Sequence, residues 1–294
     1  MDRIKNDIDS LVPAPEWRST DRRGFLQAAL GTGFAAAVLP VMAQTMIRTD
    51  TEGLLAGEVT VKSGDIDMRV YRAQPEGKTR LPVVLVVSEI FGVHEHIADI
   101  ARRFAKLGYL ALAPELFQRQ GDPRQIDSIP ELISKIISKV PDEQVMRDLD
   151  ACVAWAASHQ GDTAHLAVTG FCWGGRITWL YADHNPKVRA AVAWYGKLAQ
   201  DKTPLQPQHP IDIASKLRVP VLGLYGGKDA GIPLDDVGRM RDALAKGRSG
   251  SEIVVYPDAG HAFHADYRPS YREADARDGW KRCIAWMRQH GVGG

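Results

Sequence analysis

Short apolar runs alternate with longer stretches of helical spacing along most of the chain after residue 55. Residues 58–62 and 66–72 alternate apolar and polar side chains on either side of Ser63-Gly64-Asp65, which predicts a leading hairpin. Residues 82–87 form a continuous valine-rich run, the pattern of a strand buried on both faces. Helical spacing follows over 97–107 and stops at Gly108, a natural C-cap, and 109–113 reads as another buried strand. A polar insert over 118–141 carries a small helix around 132–138, and 143–158 is strongly amphipathic. The series continues with strand 166–168, helix 176–182, strand 190–194, a proline-rich loop over 203–210, strand 219–225, helix 233–246, strand 252–256 and helix 271–289. No internal repeat or interdomain linker interrupts it. This alternation predicts an α/β fold, a mostly parallel sheet covered by helices on both faces, with residues 44–294 as a single domain.

The start of the chain does not share the pattern. Residues 1–20 are polar and turn-rich, and Asp21-Arg22-Arg23-Gly24-Phe25-Leu26-Gln27 leads into a stretch, 24–47, without any charge. The stretch passes Pro40, Val41, Met42 and Ala43, small enough at its end for a signal peptidase. Residues 1–43 resemble a twin-arginine export signal, which implies passage through the twin-arginine export machinery and a periplasmic mature chain starting at Gln44. An uncleaved membrane anchor is the alternative, because the stretch approaches the roughly 18 apolar residues of a membrane helix. Gly31, Thr32 and Gly33 weaken it as a span, so no stable membrane span is expected in the mature form.

Composition narrows the function. With 294 residues and 45% hydrophobic content the chain can bury a substantial core, and its net charge of +1, without a basic run, points away from nucleic acid. Three cysteines with no Cys-x-x-Cys pair argue against a disulfide framework and a structural zinc site, and leave at least one thiol free. Cys152 and Cys283 fall within amphipathic helices, and a bond between them is not expected.

Cys172 does not fall in a helix. It sits where the apolar run 166–168 gives way to a helix, flanked by Gly170 and Gly174 in the order Gly-x-nucleophile-x-Gly. That is the spacing of a nucleophile elbow, a strained turn on which bulkier flanking side chains would collide, with cysteine at the nucleophile position. The N-terminus of the following helix favours a thiolate there. Two later loops at predicted strand ends carry Asp229, in Gly226-Gly227-Lys228-Asp229, and His261, in Pro257-Asp258-Ala259-Gly260-His261. Singly, these are consistent with a buried structural cysteine, a turn-forming aspartate and a loop histidine. Together they follow the nucleophile–acid–histidine chain order of α/β-hydrolases, with His261 as general base and Asp229 orienting it. The loop after 82–87, Ser88-Glu89-Ile90-Phe91-Gly92-Val93, lies where this fold places an oxyanion donor, which assigns the backbone N–H groups of Ile90 and Trp173 to that role. His94-Glu95-His96 lacks the helical spacing of a zinc protease motif, and no glycine fingerprint for a dinucleotide follows the first strand; neither metal nor cofactor is expected.

Glu-Ile-Phe-Gly at 89–92, Ala-Pro-Glu-Leu-Phe at 113–117, Gly-Phe-Cys-Trp-Gly-Gly at 170–175, Trp-Tyr-Gly at 194–196 and Ala-Gly-His-Ala-Phe at 259–263 together resemble the dienelactone hydrolases. The resemblance implies an α/β-hydrolase fold and a triad of Cys172, Asp229 and His261 that opens small lactones or esters through an acyl-enzyme. It implies that Glu89 helps activate the thiol when substrate binds. It also implies a carboxylate clamp of two arginines, the first matched by Arg119. The second position, four residues after the histidine, is Ala265 here, so His264 or Arg268 would have to stand in. Tyr195, Phe263 and His264 complete the substrate-binding residues expected from these segments. The alternatives are a general carboxylesterase or thioesterase, and a catalytically retired hydrolase fold that binds a small ligand or partner. The oligomeric state is left open.

Overall fold

The computed structural model describes residues 46–293, so the segment read as an export signal lies outside the described residues. Two antiparallel strands, β1 (Leu54–Ser63) and β2 (Ile66–Pro75), form the expected hairpin, with Ser63 paired to Ile66 across the turn. Six further strands follow: β3 (Leu81–Val87), β4 (Leu110–Pro114), β5 (Gly161–Phe171), β6 (Val188–Trp194), β7 (Val221–Gly226) and β8 (Glu252–Tyr256). They build one sheet in the order β1-β2-β4-β3-β5-β6-β7-β8, antiparallel from β1 to β4 and parallel from β4 to β8. The helices are α1 (Glu95–Lys106), α2 (Ile129–Lys135), α3 (Asp142–Ser158), α4 (Trp173–His184), α5 (Pro210–Ile213), α6 (Leu234–Ala245) and α7 (Glu273–Gln289). Helix α1 packs on β2 and β4, α3 and α4 on β5, and α7 on β6 and β7. This is the expected α/β architecture, a mostly parallel sheet with helices on both faces.

The apolar runs become strands because the sheet needs them buried on both faces. Val83 to Val87 of β3, all five, have no solvent exposure. Their neighbours β4 and β5 lie on opposite sides of β3, so the chain reverses direction of travel across the sheet there. That reversal opens a crevice at the carboxyl ends of the strands, where α/β sheets place ligands. Strand β5 starts earlier than its apolar run, at Gly161, because Gly161 and Asp162 pair with Leu81 and Pro82 before a bulge resets the register at Leu166. Residues 163–165, Thr-Ala-His, are unpaired to β3 and break the apolar run, which hides that extension from an apolar-run reading. Helix α5, which starts at the last residue of the stretch read as a proline-rich loop, is a single turn held by a capping box between His209 and Asp212. Cys152 and Cys283 are buried, free thiols. Among the described residues no helix is long and apolar enough to cross a membrane.

At the end of β5 the chain turns sharply into α4. Cys172 has φ 56° and ψ −115°, a backbone conformation costly for a residue with a side chain. The two flanking glycines have a steric cause. A Cβ on Gly170 would lie 2.3 Å from the Gly174 carbonyl oxygen, and one on Gly174 would lie 2.4 Å from that of Val87. The first turn of α4 therefore sits directly on β3 and β5. Gly174→Ala is expected to destabilise the fold by about 3 kcal/mol, since the obstacle is backbone rather than a flexible side chain; a lowered denaturant midpoint with unchanged slope would register it.

Candidate active site

The elbow holds Cys172 at the N-terminus of α4, and its own N–H donates to the Trp194 carbonyl at 3.0 Å, tying it to the end of β6. Two neighbouring loops are stitched together in the same way. Gly227 N donates to Tyr256 O (2.7 Å) and Lys228 N to Ala259 O (2.8 Å), which sets the loop after β7 against the loop after β8. This brings Asp229 Oδ2 to 2.7 Å from His261 Nδ1, while Asp229 Oδ1 accepts from Gly231 N at 2.9 Å. Both side chains are buried. With the Nδ1 proton directed at Asp229, Nε2 is left for the cavity; it has no conventional hydrogen bond, and the Cys172 sulfur is close enough to act on its protonation. Burial opposes a charged imidazolium, but Asp229 and Cys172 outweigh it and raise the His261 pKa to about 10.

Cys172 and His261 open onto one cavity of about 200 Å³, which Ile90, Trp173 and Tyr195 also line. Trp173 is the first residue of α4, so its N–H has no acceptor within the helix. The polar insert supplies an apolar wall, Ile133 and Ile137, and the chain after β6 a polar end with Lys197, Gln200 and Gln206. None of these five was singled out from the sequence. The available signal was position alone: Lys197 follows Tyr195-Gly196 at a strand's carboxyl end, where this fold collects function. A wider groove of about 500 Å³ lies elsewhere, between the β1–β2 hairpin and α3. Its Ser158 hydroxyl and His159 Nδ1 lie 3.0 Å apart, and both turn to the Trp155 carbonyl at the end of α3.

The loop after β3 carries a second buried carboxylate. Glu89 Oε2 accepts from the Tyr267 hydroxyl and from His94 Nε2 (3.2 Å), and Oε1 has no hydrogen-bond partner. Burial alone would raise its pKa, but the His94 hydrogen bond and the positive Arg268 hold it down at about 2, so Glu89 is ionised. Burial keeps His94 below the ordinary histidine range, which makes it a neutral N–H donor. Arg268 lies with its guanidinium 5.2 Å from the Phe91 ring centre and 5.9 Å from that of Tyr267. The His94-Glu95-His96 segment at the start of α1 serves three different partners: Glu89, Arg102 and Asp266.

Sequence comparison gives this arrangement its relatives. The dienelactone hydrolase family model matches residues 68–291. The chain belongs to the dienelactone hydrolase family. It is 57% identical over 272 residues to a protein of Methylorubrum extorquens that carries the provisional name carboxymethylenebutenolidase, covering 92% of this chain and 94% of that one. A Salmonella typhimurium protein of the same provisional name is 56% identical over 261 residues, covering 88% of this chain and 96% of that one. A crystal structure from Klebsiella pneumoniae, provisionally described as a dienelactone hydrolase, superposes with a TM-score of 0.79 at 57% identity, over 80% of this chain and 99% of that one. The chain is thus a carboxylic-ester hydrolase of the dienelactone hydrolase type.

Three residues expected at the substrate do not line the cavity of this dienelactone hydrolase. Arg119 is engaged on the outside of the sheet: its guanidinium bonds both oxygens of Asp148 (2.7 and 3.0 Å), Asp65 (2.9 Å) and the Ser63 carbonyl (2.9 Å). It braces the β1–β2 turn against α3, and its donors are spent there. Phe263 is fully buried and packs edge-on against Tyr195, with ring centres 5.3 Å apart, so it supports the cavity from behind. His264 is buried against Trp194, 4.5 Å between ring centres, and burial pushes its pKa well below the usual range, which leaves it neutral. Ala265 is buried as well.

Two measurements follow. Because the folded pKa of His261 is raised from 6.5 to about 10, its contribution to stability is full below pH 6.5 and is lost as pH rises through about 10. NMR titration of the His261 ring should find the high value in the wild type and a fall toward the ordinary range in Asp229→Asn. Arg119→Met should cost about 3 kcal/mol in urea unfolding, because it strips the cation from the buried Asp148 carboxylate.

Proposed function

We propose that the chain hydrolyses small lactones and esters through a thioester acyl-enzyme on Cys172. The reading is carried by one observation: a cysteine on a strained elbow shares a cavity with a histidine whose far nitrogen is 2.7 Å from a buried aspartate. In this reaction the Cys172 sulfur attacks the carbonyl carbon and the imidazole Nε2 holds the thiol proton. The N–H groups of Ile90 and Trp173 receive the oxyanion, a contribution worth about a hundred- to thousandfold in rate per donor. Collapse breaks the carbon–oxygen bond, and His261 gives its proton to the leaving oxygen, which stays tethered when the substrate is a lactone. Water then attacks the thioester, passes a proton to His261 and expels the thiolate. Asp229 stabilises the imidazolium throughout. Glu89 is the second carboxylate of the site and helps activate the thiol as substrate enters.

With Arg119 engaged by Asp148 and an alanine at residue 265, the two-arginine clamp for a substrate carboxylate is not assembled from the expected positions. This favours a broader ester and lactone range over a strict requirement for an anionic substrate. The test is hydrolysis of dienelactone, a neutral lactone and an aryl ester by the chain starting at Gln44. Cys172→Ala should reduce every rate to background. Turnover that survives in this variant would overturn the assignment, and a chain that binds these compounds without turnover would be a ligand-binding hydrolase fold.

The arginine pair Arg22-Arg23 and the uncharged stretch behind it support export of the mature chain to the periplasm. Cell fractionation should find the shortened chain in the periplasm, and a predominantly cytoplasmic chain retaining residues 1–43 would contradict it.

A further inference from the structure

Tyr195 is built into the site more tightly than a wall residue needs to be. Its φ is 39°, in the left-handed region that aromatic residues rarely occupy, and such strain persists where the surroundings impose it. The surroundings are identifiable. Trp194 ends β6 paired to Leu224, and the Tyr195 N–H donates to the Leu224 carbonyl at 2.8 Å. Gly196 then presses on the first turn of α4, where a Cβ would lie 2.2 Å from the Gly175 carbonyl carbon. The same Trp194 carbonyl accepts the Cys172 N–H. Cys172 and Tyr195 are therefore referenced to each other through backbone contacts.

The side chain ends in a buried hydroxyl with no hydrogen-bond partner, although the residue lines the cavity with Cys172 and His261. A buried hydroxyl without a partner is unfavourable, and a substrate oxygen entering the cavity would satisfy it. Burial, with Glu89 and Tyr267 nearby, raises its pKa well above the ordinary phenol value, so the proton stays on the oxygen at any working pH. The ring meets the His261 ring edge-on, with centres 5.2 Å apart, whereas the oxyanion donors belong to the loop after β3 and to α4. The ring thus lies on the histidine's side of the cavity, where the leaving oxygen takes its proton, and the hydroxyl at its end is near enough to Cys172 and Glu89 to feel their charge.

We infer that Tyr195 is a catalytic residue whose hydroxyl donates a hydrogen bond to the leaving-group oxygen as the tetrahedral intermediate collapses. This rests on the acyl-enzyme reading above. The carbon–oxygen bond breaks, its electron pair goes to oxygen, and the proton that neutralises it comes from His261 Nε2. Tyr195 keeps its own proton and stabilises the charge that develops before the transfer is complete. The benefit is greatest for a poor leaving group, an aliphatic alkoxide, and small for a phenolate that is already stable.

The test is Tyr195→Phe, which keeps the ring and removes only the donor. Rates are measured on a series of esters with one acyl group and leaving groups from ethanol to para-nitrophenol. The wild-type series, with Cys172→Ala as its blank, separately reports whether the acyl-enzyme reading holds. In Tyr195→Phe the loss of kcat on the ethyl ester should be about 10- to 100-fold and exceed the loss on the aryl ester by about tenfold, so the leaving-group dependence steepens. A loss equal across the series, or one confined to KM, would overturn the inference. So would an unchanged series with an unchanged melting temperature.

Discussion

The close seating of the first turn of α4 on the backbones of β3 and β5 is the constraint from which the rest of the site descends. Only hydrogen atoms fit between Gly170 and the Gly174 carbonyl, and between Gly174 and Val87. This forces Cys172 out of ordinary backbone geometry and lifts its sulfur clear of the sheet. It also sets the first turn of α4 against Val87 and Ser88, at the start of the loop that carries Glu89 and Ile90. The same turn meets the end of β6 through Gly175 and Gly196, so Cys172, Trp173 and Tyr195 share a single backbone frame. Few of these relations depend on flexible side chains, which is what a preorganised site requires.

Charge is arranged around that frame in two buried units. Asp229 and His261 form one, closed by paired loops at the ends of β7 and β8. Glu89 forms the other, held by Tyr267 and His94 with Arg268 in the background. Each unit contains a carboxylate that water scarcely reaches, and each accepts hydrogen bonds from a different part of the chain. A buried carboxylate without such partners would protonate. With its partners, Glu89 keeps its charge although it is fully buried.

The sheet and the reactive types were legible in the sequence because both follow local rules. A strand buried on two faces has to be an apolar run, and the elbow has to place glycine two residues either side of its nucleophile. Chain order then connected Cys172 with the Asp229 and His261 loops, which the structure sets side by side. Illegible were the features decided by distant partners. The early start of β5 depends on Leu81 and Pro82 across a bulge, and the one-turn helix α5 on a local cap too short to show a period. Arg119 occupies the position that the family resemblance marks for a substrate ligand, yet Asp148, far along the chain on α3, captures it. No spacing rule announces such a capture. Lys197, Gln200 and Gln206 were hidden for a related reason, since polar residues in the irregular stretch between β6 and α5 carry no periodicity to interpret.

The wall made by Ile133 and Ile137 has an evolutionary consequence. It is carried by α2 and the short turn after it, an insert between β4 and α3 that contributes no strand to the sheet and none of the proposed reacting groups. In the proposed reaction the reacting groups stand at the sheet's carboxyl edge, while an outer segment supplies part of the cavity wall. Exchanging one aliphatic side chain for another in that insert would redraw the range of acceptable acyl groups while leaving the chemistry inherited, a division of labour that lets one scaffold diversify its diet without relearning its trade.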